Sequence, residues 1–178
     1  MRTYMRRQYL RRAGRILSDV LFRGTYCFAY DLMPVRTPPM PVKKRLNLLK
    51  SGINLIYRRA RPWSWPIHMQ VELTNYCNLR CRVCPTGAGL LERRKGNLDV
   101  DMYARFMEEV GPYLLTASLW GWGEPLLHPR FPEIVEITRR HGVIPLISTN
   151  GQNLNDDRVL EGLLRVPPTY LIVAIDDD

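Results

Sequence analysis

The sequence predicts an α/β protein built around a parallel sheet, with a basic helical arm in front of it. Three observations predict this class. Short apolar stretches alternate with segments of helical periodicity from residue 67 onward, which is typical of parallel strands joined by right-handed crossovers. The charge differs sharply between the two parts of the chain. Cysteine, glycine, asparagine or acidic residues follow each apolar stretch, as in the ligand-binding rim of parallel sheets.

The charge distribution divides the chain into two predicted domains. Residues 1–66 carry 15 Lys/Arg and 2 Asp/Glu, a net charge of +13, whereas residues 67–178 carry 11 and 15, a net charge of −4. Pro62 and Pro66 lie at the join. We therefore expect a basic helical arm and a Pro-rich linker over 1–66, and a core domain over 67–178.

The arm contains two predicted helices. Over residues 2–23 apolar side chains recur at helical spacing among arginines. This favours a solvated arm whose apolar stripe packs on the body, with contact to an anionic membrane surface or RNA as the alternative. The proline-rich stretch over 34–44 predicts a linker, and residues 45–60 predict a second short basic helix.

The core domain alternates strands and helices. Strands are predicted at 67–73, 117–121, 143–149 and 169–175, and helices at 99–114, 132–142 and 156–165. Pro145 is unusual inside a strand. Asp99 or Asp101 is expected to cap the first of these helices, and Asn155 the third. The apolar residues expected on the buried face of the first helix are Met102, Tyr103, Phe106, Met107 and Val110.

Three cysteines follow the first predicted strand with the spacing C-x3-C-x2-C, in CNLRCRVC (77–84). Thiolates suit zinc or iron–sulfur centres. Structural zinc takes four protein ligands and catalytic zinc usually includes histidines, whereas three thiolates can hold three irons of a [4Fe–4S] cluster and leave the fourth iron open. The spacing favours an iron–sulfur cluster on Cys77, Cys81 and Cys84, with zinc binding or a chance group of core cysteines as the alternatives.

Cysteine usage and hydropathy predict a cytoplasmic protein. The chain has four cysteines, three of them clustered, which is untypical of a secreted disulfide scaffold. No apolar run approaches the roughly 18 residues needed to span a bilayer, and the N-terminus has no apolar region of a secretory signal.

The cysteine segment resembles the signature of radical S-adenosylmethionine (radical SAM) enzymes. Three further segments resemble motifs of this family in the right order: WGWGEPLLHP (120–129) its GGEP-type motif, STNG (148–151) its third-strand motif and VAID (173–176) its fourth-strand motif. The combination is most similar to the SPASM-type subgroup, whose members often modify peptides or proteins. The resemblance covers about residues 67–178 and implies a partial parallel (βα) barrel, of which this chain has the first four strands.

The resemblance implies a cofactor pair and a reaction. Cys77, Cys81 and Cys84 would bind a [4Fe–4S] cluster, and S-adenosylmethionine would chelate its fourth iron. Reductive cleavage of S-adenosylmethionine to a 5′-deoxyadenosyl radical would then serve hydrogen abstraction from a substrate, such as a peptide or protein. A flavodoxin- or ferredoxin-type reductant is also implied. No catalytic residue is assigned beyond the cluster site.

Six residues are candidate contacts to S-adenosylmethionine. Gly121 and Gly123 lack a side chain, so that backbone groups can approach a ligand closely. Glu124 can accept a hydrogen bond from the methionyl ammonium. The remaining candidates are Ser148 and Asn150 for the methionyl or ribose part and Asp176 for a ribose hydroxyl.

The sequence departs from the family pattern in two places. Ala174 stands where relatives usually have a serine, so one ribose contact of the family has no matching serine here. The chain ends at Asp178, after the fourth predicted strand, whereas relatives continue to six strands. We therefore expect a gene fragment, a catalytically inactive truncated iron–sulfur chain, or half of a split enzyme. A zinc- or RNA-binding module is the alternative of a different class.

Overall fold

The structure, a computed structural model, describes residues 13–30 and 33–175. The chain divides into two compact units, Met1–Trp65 and Pro66–Asp178. Among the described residues, no helix is both long enough and apolar enough to cross a bilayer.

The first unit contains two helical segments and a hairpin. Residues 13–18 are α-helical and continue into a π-helical turn, Asp19–Arg23, while residues 2–12 of the predicted first helix lie outside the described residues. The strands β1 (Cys27–Tyr30) and β2 (Met33–Arg36) pair antiparallel. Helix α1 spans Val42–Ile56, close to the predicted second helix.

The proline-rich segment over 34–44 is not a linker, so that prediction was wrong. Its first residues form β2, in which Val35 is fully buried. Thr37 and Tyr26 bond to each other twice, through Thr37 N–H to Tyr26 O at 2.9 Å and Tyr26 N–H to Thr37 Oγ1 at 2.8 Å. A two-stranded hairpin tolerates Pro34 because an edge strand leaves some of its N–H positions unused.

The second unit is an open sheet of four parallel strands with helices between them, which confirms the predicted α/β class with a partial parallel barrel. The strands lie side by side in chain order: β3 (His68–Gln70), β4 (Thr116–Ser118), β5 (Ile144–Thr149) and β6 (Tyr170–Val173). The connecting helices are α2 (Val100–Val110), α3 (Phe131–Arg140) and α4 (Asp157–Arg165), and a 3₁₀ turn occupies Pro125–Leu127.

Helix α2 buries a narrower face than predicted. Asp99 caps it as expected, with its carboxylate accepting from Met102 N–H at 2.8 Å. Met102 and Phe106 are 51% and 41% exposed, however, so their assignment to the buried face was wrong. The buried positions recur every three or four residues in one seam, which Met102 and Phe106 flank. This seam consists of Val100, Tyr103, Met107 and Val110.

Two local features depend on neighbouring elements. Asp156, not Asn155, caps α4, since its carboxylate accepts from Arg158 N–H at 2.9 Å. Pro145 lies in the interior strand β5, where its carbonyl accepts from Thr169 N–H at 3.2 Å. The N–H and C=O of one strand residue point to the same side, so an N–H at position 145 would also face the chain that leads into β6, which begins at Tyr170. The N–H that proline lacks would therefore lie ahead of the first paired residue of β6, and no hydrogen bond between β5 and β6 requires it.

Candidate functional site

The loops after the first three parallel strands meet at the carboxyl edge of the sheet. The cysteine loop, residues 77–89, follows β3. The Gly121–Glu124 loop follows β4, and the Asn150–Asn153 loop follows β5. Hydrogen bonds join each of these loops to another, as described below. The edge at which they meet is the one where parallel sheets bind ligands.

The cysteine loop is a series of turns that leaves its thiols free. Cys81 is exposed, and Cys77 and Cys84 are half-buried. Cys84 N–H donates to Cys81 O at 3.3 Å, and a Cβ at Gly87 would lie 2.5 Å from Cys81 N. A glycine is therefore required where the chain passes back over Cys81. In the described part of the chain no three His, Cys, Asp or Glu side chains converge as ligands of one metal ion.

Glu124 joins three of the strand-end loops. It is 3% exposed, and its N–H donates to Tyr76 O at 2.8 Å. Its Oε1 accepts from Leu126 N–H at 3.1 Å and from the Thr149 hydroxyl at 2.6 Å. Its Oε2 accepts from Asn150 N–H at 2.8 Å. Because a carboxylate has about four acceptor positions, one position on Oε2 remains for another donor.

Gly121 and Gly123 lie against the segment that leads into the cysteine loop. A Cβ at Gly123 would be 2.0 Å from Thr74 O, and a Cβ at Gly121 would be 2.8 Å from the Glu72 side chain. The absence of a side chain is therefore required for packing between the β3 and β4 loops. The role predicted for these glycines, close approach of the backbone to a ligand, stays a prediction.

Glu72 and Arg93 hold the Gly121–Glu124 loop from its other side. The guanidinium donates to both carboxylate oxygens, at 2.5 and 2.7 Å, and Trp122 N–H donates to Glu72 Oε1 at 2.8 Å. Burial by itself would raise the pKa of Glu72, but the hydrogen bonds from Arg93 and Trp122 and the charge of Arg93 together lower it. Glu72 is thus an ionised acceptor that orients the loop.

Of the three other candidate contacts to S-adenosylmethionine, the structure describes Asn150 and Ser148 but not Asp176. Asn150 lies directly after β5, and its Nδ2 is 2.8 Å from Asn78 Oδ1 and 3.9 Å from Cys77 Sγ. Ser148 is half-buried in β5, opposite Ile172 of β6. Asp176 lies outside the described residues, while Ala174 N–H extends the β5–β6 pairing by donating to Thr149 O at 2.8 Å. All of these predicted cofactor contacts stay predictions.

A cleft of about 700 Å³ opens beside the cysteine loop. Its walls come from the cysteine loop, the loop after β5 and the end of β6, and Cys81 and Asn150 both contribute to them. This volume is in the range of small-molecule sites. The apolar part of the wall includes Val83, Val173 and Ile175.

The donor set and its surroundings fit an iron–sulfur cluster with a small-molecule ligand. Three free thiols in one loop offer soft ligands, and the cleft adjoins the loop. The hydroxyl of Thr86, two residues after Cys84, is buried without a hydrogen-bond partner among the described residues. An unpaired buried hydroxyl costs about 1–3 kcal/mol, so an acceptor on a bound group would stabilise this loop.

Sequence reasoning missed several residues that shape the site. Thr149, between the predicted contacts Ser148 and Asn150, is 2% exposed and donates to Glu124. The sequence contains one signal for this residue. In a strand, successive side chains point to opposite faces, so Thr149 of the STNG motif lies on the other face from Ser148. The pair Glu72–Arg93 has no local signal, since the two residues are 21 positions apart.

Comparison with known proteins agrees with the geometry. The sequence matches the Radical SAM superfamily over residues 71–177. The tungsten-containing aldehyde ferredoxin oxidoreductase cofactor-modifying protein of Pyrococcus furiosus is 33% identical over 96 residues, 53% of this chain and 26% of that protein. The PqqA peptide cyclase of Gluconobacter oxydans is 27% identical over 112 residues, 63% of this chain and 31% of that protein.

A solved structure shows the same fold. The crystal structure of BtrN in complex with AdoMet and 2-DOIA has a TM-score of 0.53 and 26% identity, covering 62% of this chain and 46% of that one. This chain spans about a quarter to a third of the length of the two curated relatives, 26% and 31%. The resemblance seen in the motifs, including that to SPASM-type proteins, is confirmed. The match covers most of the second unit, and the chain belongs to the radical SAM superfamily.

Proposed function

We propose that this chain provides the cofactor-binding part of a radical SAM enzyme. Cys77, Cys81 and Cys84 hold a [4Fe–4S] cluster through three thiolates, and S-adenosylmethionine occupies the neighbouring cleft. The observation that carries the proposal is the set of three free thiols in one loop, of which Cys81 lines the cleft, within the segment that matches the superfamily. When bound, the pair supplies one-electron cleavage of S-adenosylmethionine and a carbon radical for hydrogen abstraction.

The residues of the chain position the cofactors. Glu124 ties the cysteine loop to the end of β5 through Tyr76, Thr149 and Asn150. Its remaining acceptor position on Oε2 is available to the methionyl ammonium, as predicted from the sequence. Ser148 and Asp176 are also proposed to contact the cofactor, as predicted from the sequence.

The proposed substrate class is a peptide. It rests on the similarity to one relative that is named for its action on a peptide, the PqqA peptide cyclase. A one-electron reductant of the flavodoxin or ferredoxin type is part of the proposal, since the residues of the described chain supply no electron.

Anaerobic reconstitution tests the cluster. We expect the 178-residue chain to take up about four irons and four sulfides, and its reduced EPR spectrum to change when S-adenosylmethionine is added. Cys81→Ala should lose the cluster because one of three ligands is removed. Cys27→Ala is the matched control, since Cys27 is a free, exposed cysteine of β1 outside the motif.

Two results would reject the proposal. Retention of about four irons by Cys81→Ala would show that the cluster lies elsewhere. Stoichiometric zinc without acid-labile sulfide in the anaerobically reconstituted protein would indicate the zinc module instead.

A further inference from the structure

The amide of Asn150 has a single consistent orientation. Its Oδ1 accepts from Gln152 N–H at 3.0 Å, which identifies this atom as the oxygen because a backbone N–H requires an acceptor. Nδ2 therefore faces Asn78 and donates to Asn78 Oδ1 at 2.8 Å. The amide of Asn78 is oriented in turn, and its Nδ2 donates to Asn153 Oδ1 at 2.8 Å. The network assigns each oxygen and nitrogen without ambiguity.

One hydrogen of Nδ2 remains, and Cys77 lies beside it. The amide nitrogen has two hydrogens, of which Asn78 takes one. Cys77 Sγ is 3.9 Å from the same nitrogen, within the longer range of hydrogen bonds to sulfur. The backbone of Asn150 is fixed independently, since its N–H donates to the buried carboxylate of Glu124 at 2.8 Å. The side chain is therefore held with an N–H directed toward this thiol.

We propose that Asn150 raises the reduction potential of the cluster by donating this N–H to Cys77 Sγ. The inference rests on the proposed function, because it requires a cluster at Cys77. The electron that enters a cluster increases the negative charge on its sulfur ligands, so a donor stabilises the reduced form more than the oxidised form. Asn150 is then a positioning residue for the ligand sulfur. Its amide has one acceptor lone pair left for the methionyl or ribose contact expected from the sequence.

Redox titration of reconstituted variants, followed by EPR, tests this role. Asn150→Ala removes the donor without adding charge. Asn150→Leu has almost the same size, is uncharged and also lacks the N–H, so it serves if the alanine variant folds poorly. We expect both to have a lower midpoint potential. At a fixed solution potential the ratio of reduced to oxidised cluster should fall by up to about tenfold, which is ~59 mV for a one-electron couple.

Asn155→Ala is the matched control, because Asn155 is an exposed asparagine a few residues further along the chain. Its potential should equal that of the unaltered chain. An unchanged potential in Asn150→Ala, with about four irons still bound, would overturn the inference and leave the proposed function intact. Failure of the unaltered chain to bind a cluster would instead reject the proposed function, and the inference with it.

Discussion

At the scale of single residues, the site depends on side chains that are small or buried rather than on exposed functional groups. The three cysteines are the exception, because their spacing alone favours a cluster. Gly123 and Glu124 hold the loops together: the glycine lets the chain pass over Thr74, and the carboxylate accepts from Leu126, Thr149 and Asn150. A pattern of residue types identifies both positions, but their partners become visible only in the fold.

Gly123→Ala should destabilise the second unit because its Cβ would lie 2.0 Å from a backbone oxygen, Thr74 O, which cannot rotate away. We expect a loss of about 1–3 kcal/mol in the free energy of unfolding, measured by urea titration. Gly96→Ala is the control, since nothing lies within 4 Å of its Cβ, and it should change stability by less than about 0.5 kcal/mol. Equal effects of the two substitutions would contradict the close packing at Gly123.

At the scale of elements, histidines connect segments that are distant in sequence. His128 ends the 3₁₀ turn, where its Nδ1 accepts from Arg130 N–H at 3.1 Å and its Nε2 donates to Leu98 O at 3.0 Å. An imidazole that accepts at one nitrogen and donates at the other is neutral. His68 of β3 bonds to the Thr116 hydroxyl of β4 at 2.8 Å. Burial is the main cause that lowers the pKa of both histidines.

The lowered pKa values predict a loss of stability in mild acid. A histidine whose pKa is lower in the folded state stabilises the fold above its unfolded pKa of about 6.5, and this contribution is lost as the pH falls through and below that value. We expect the urea midpoint of the unaltered chain to fall between pH 7.5 and about pH 5. The double variant His68→Gln/His128→Gln should be less stable at pH 7.5 and less sensitive to acid. An unchanged pH slope in that variant would assign the acid sensitivity to other groups.

At the scale of the whole chain, the parallel sheet has an apolar edge in the part that the structure describes. Within residues 13–30 and 33–175 the strand β6 pairs only with β5, and Leu171 and Val173 are each 39% exposed. Ile175, just beyond the strand, is 85% exposed. An exposed apolar edge strand is a template for pairing with another chain.

The isolated 178-residue chain should therefore self-associate through β6. Leu171→Lys places a charge on this edge and should shift the protein toward monomer in sedimentation-velocity experiments across a concentration series. Leu164→Lys is the control, because Leu164 is a 72% exposed leucine of α4. If the chain sediments as a monomer, or if both variants reduce association equally, the edge of β6 is not the contact surface.

Local patterns sufficed for many features of this chain. Alternating strand and helix periodicities predicted four parallel strands in order, and the approximate helix bounds followed from caps and glycines. The proline-rich segment was misread as a linker because its pairing with β1 depends on contacts such as Thr37 to Tyr26, which composition does not reveal. The exposure of Met102 and Phe106 also depends on which neighbours cover α2.

The sequence by itself determined the motifs: the cysteine spacing, the glycines and Glu124 after the second strand and the asparagine after the third, all of which lie within short segments. Only the tertiary structure decided which of these residues meet. Asn150 reaches Cys77 from 73 positions away, and Arg93 reaches Glu72 from 21. The physical reason is that parallel strands bring the ends of distant segments to one edge, where the hydrogen bonds depend on distances that no local pattern encodes.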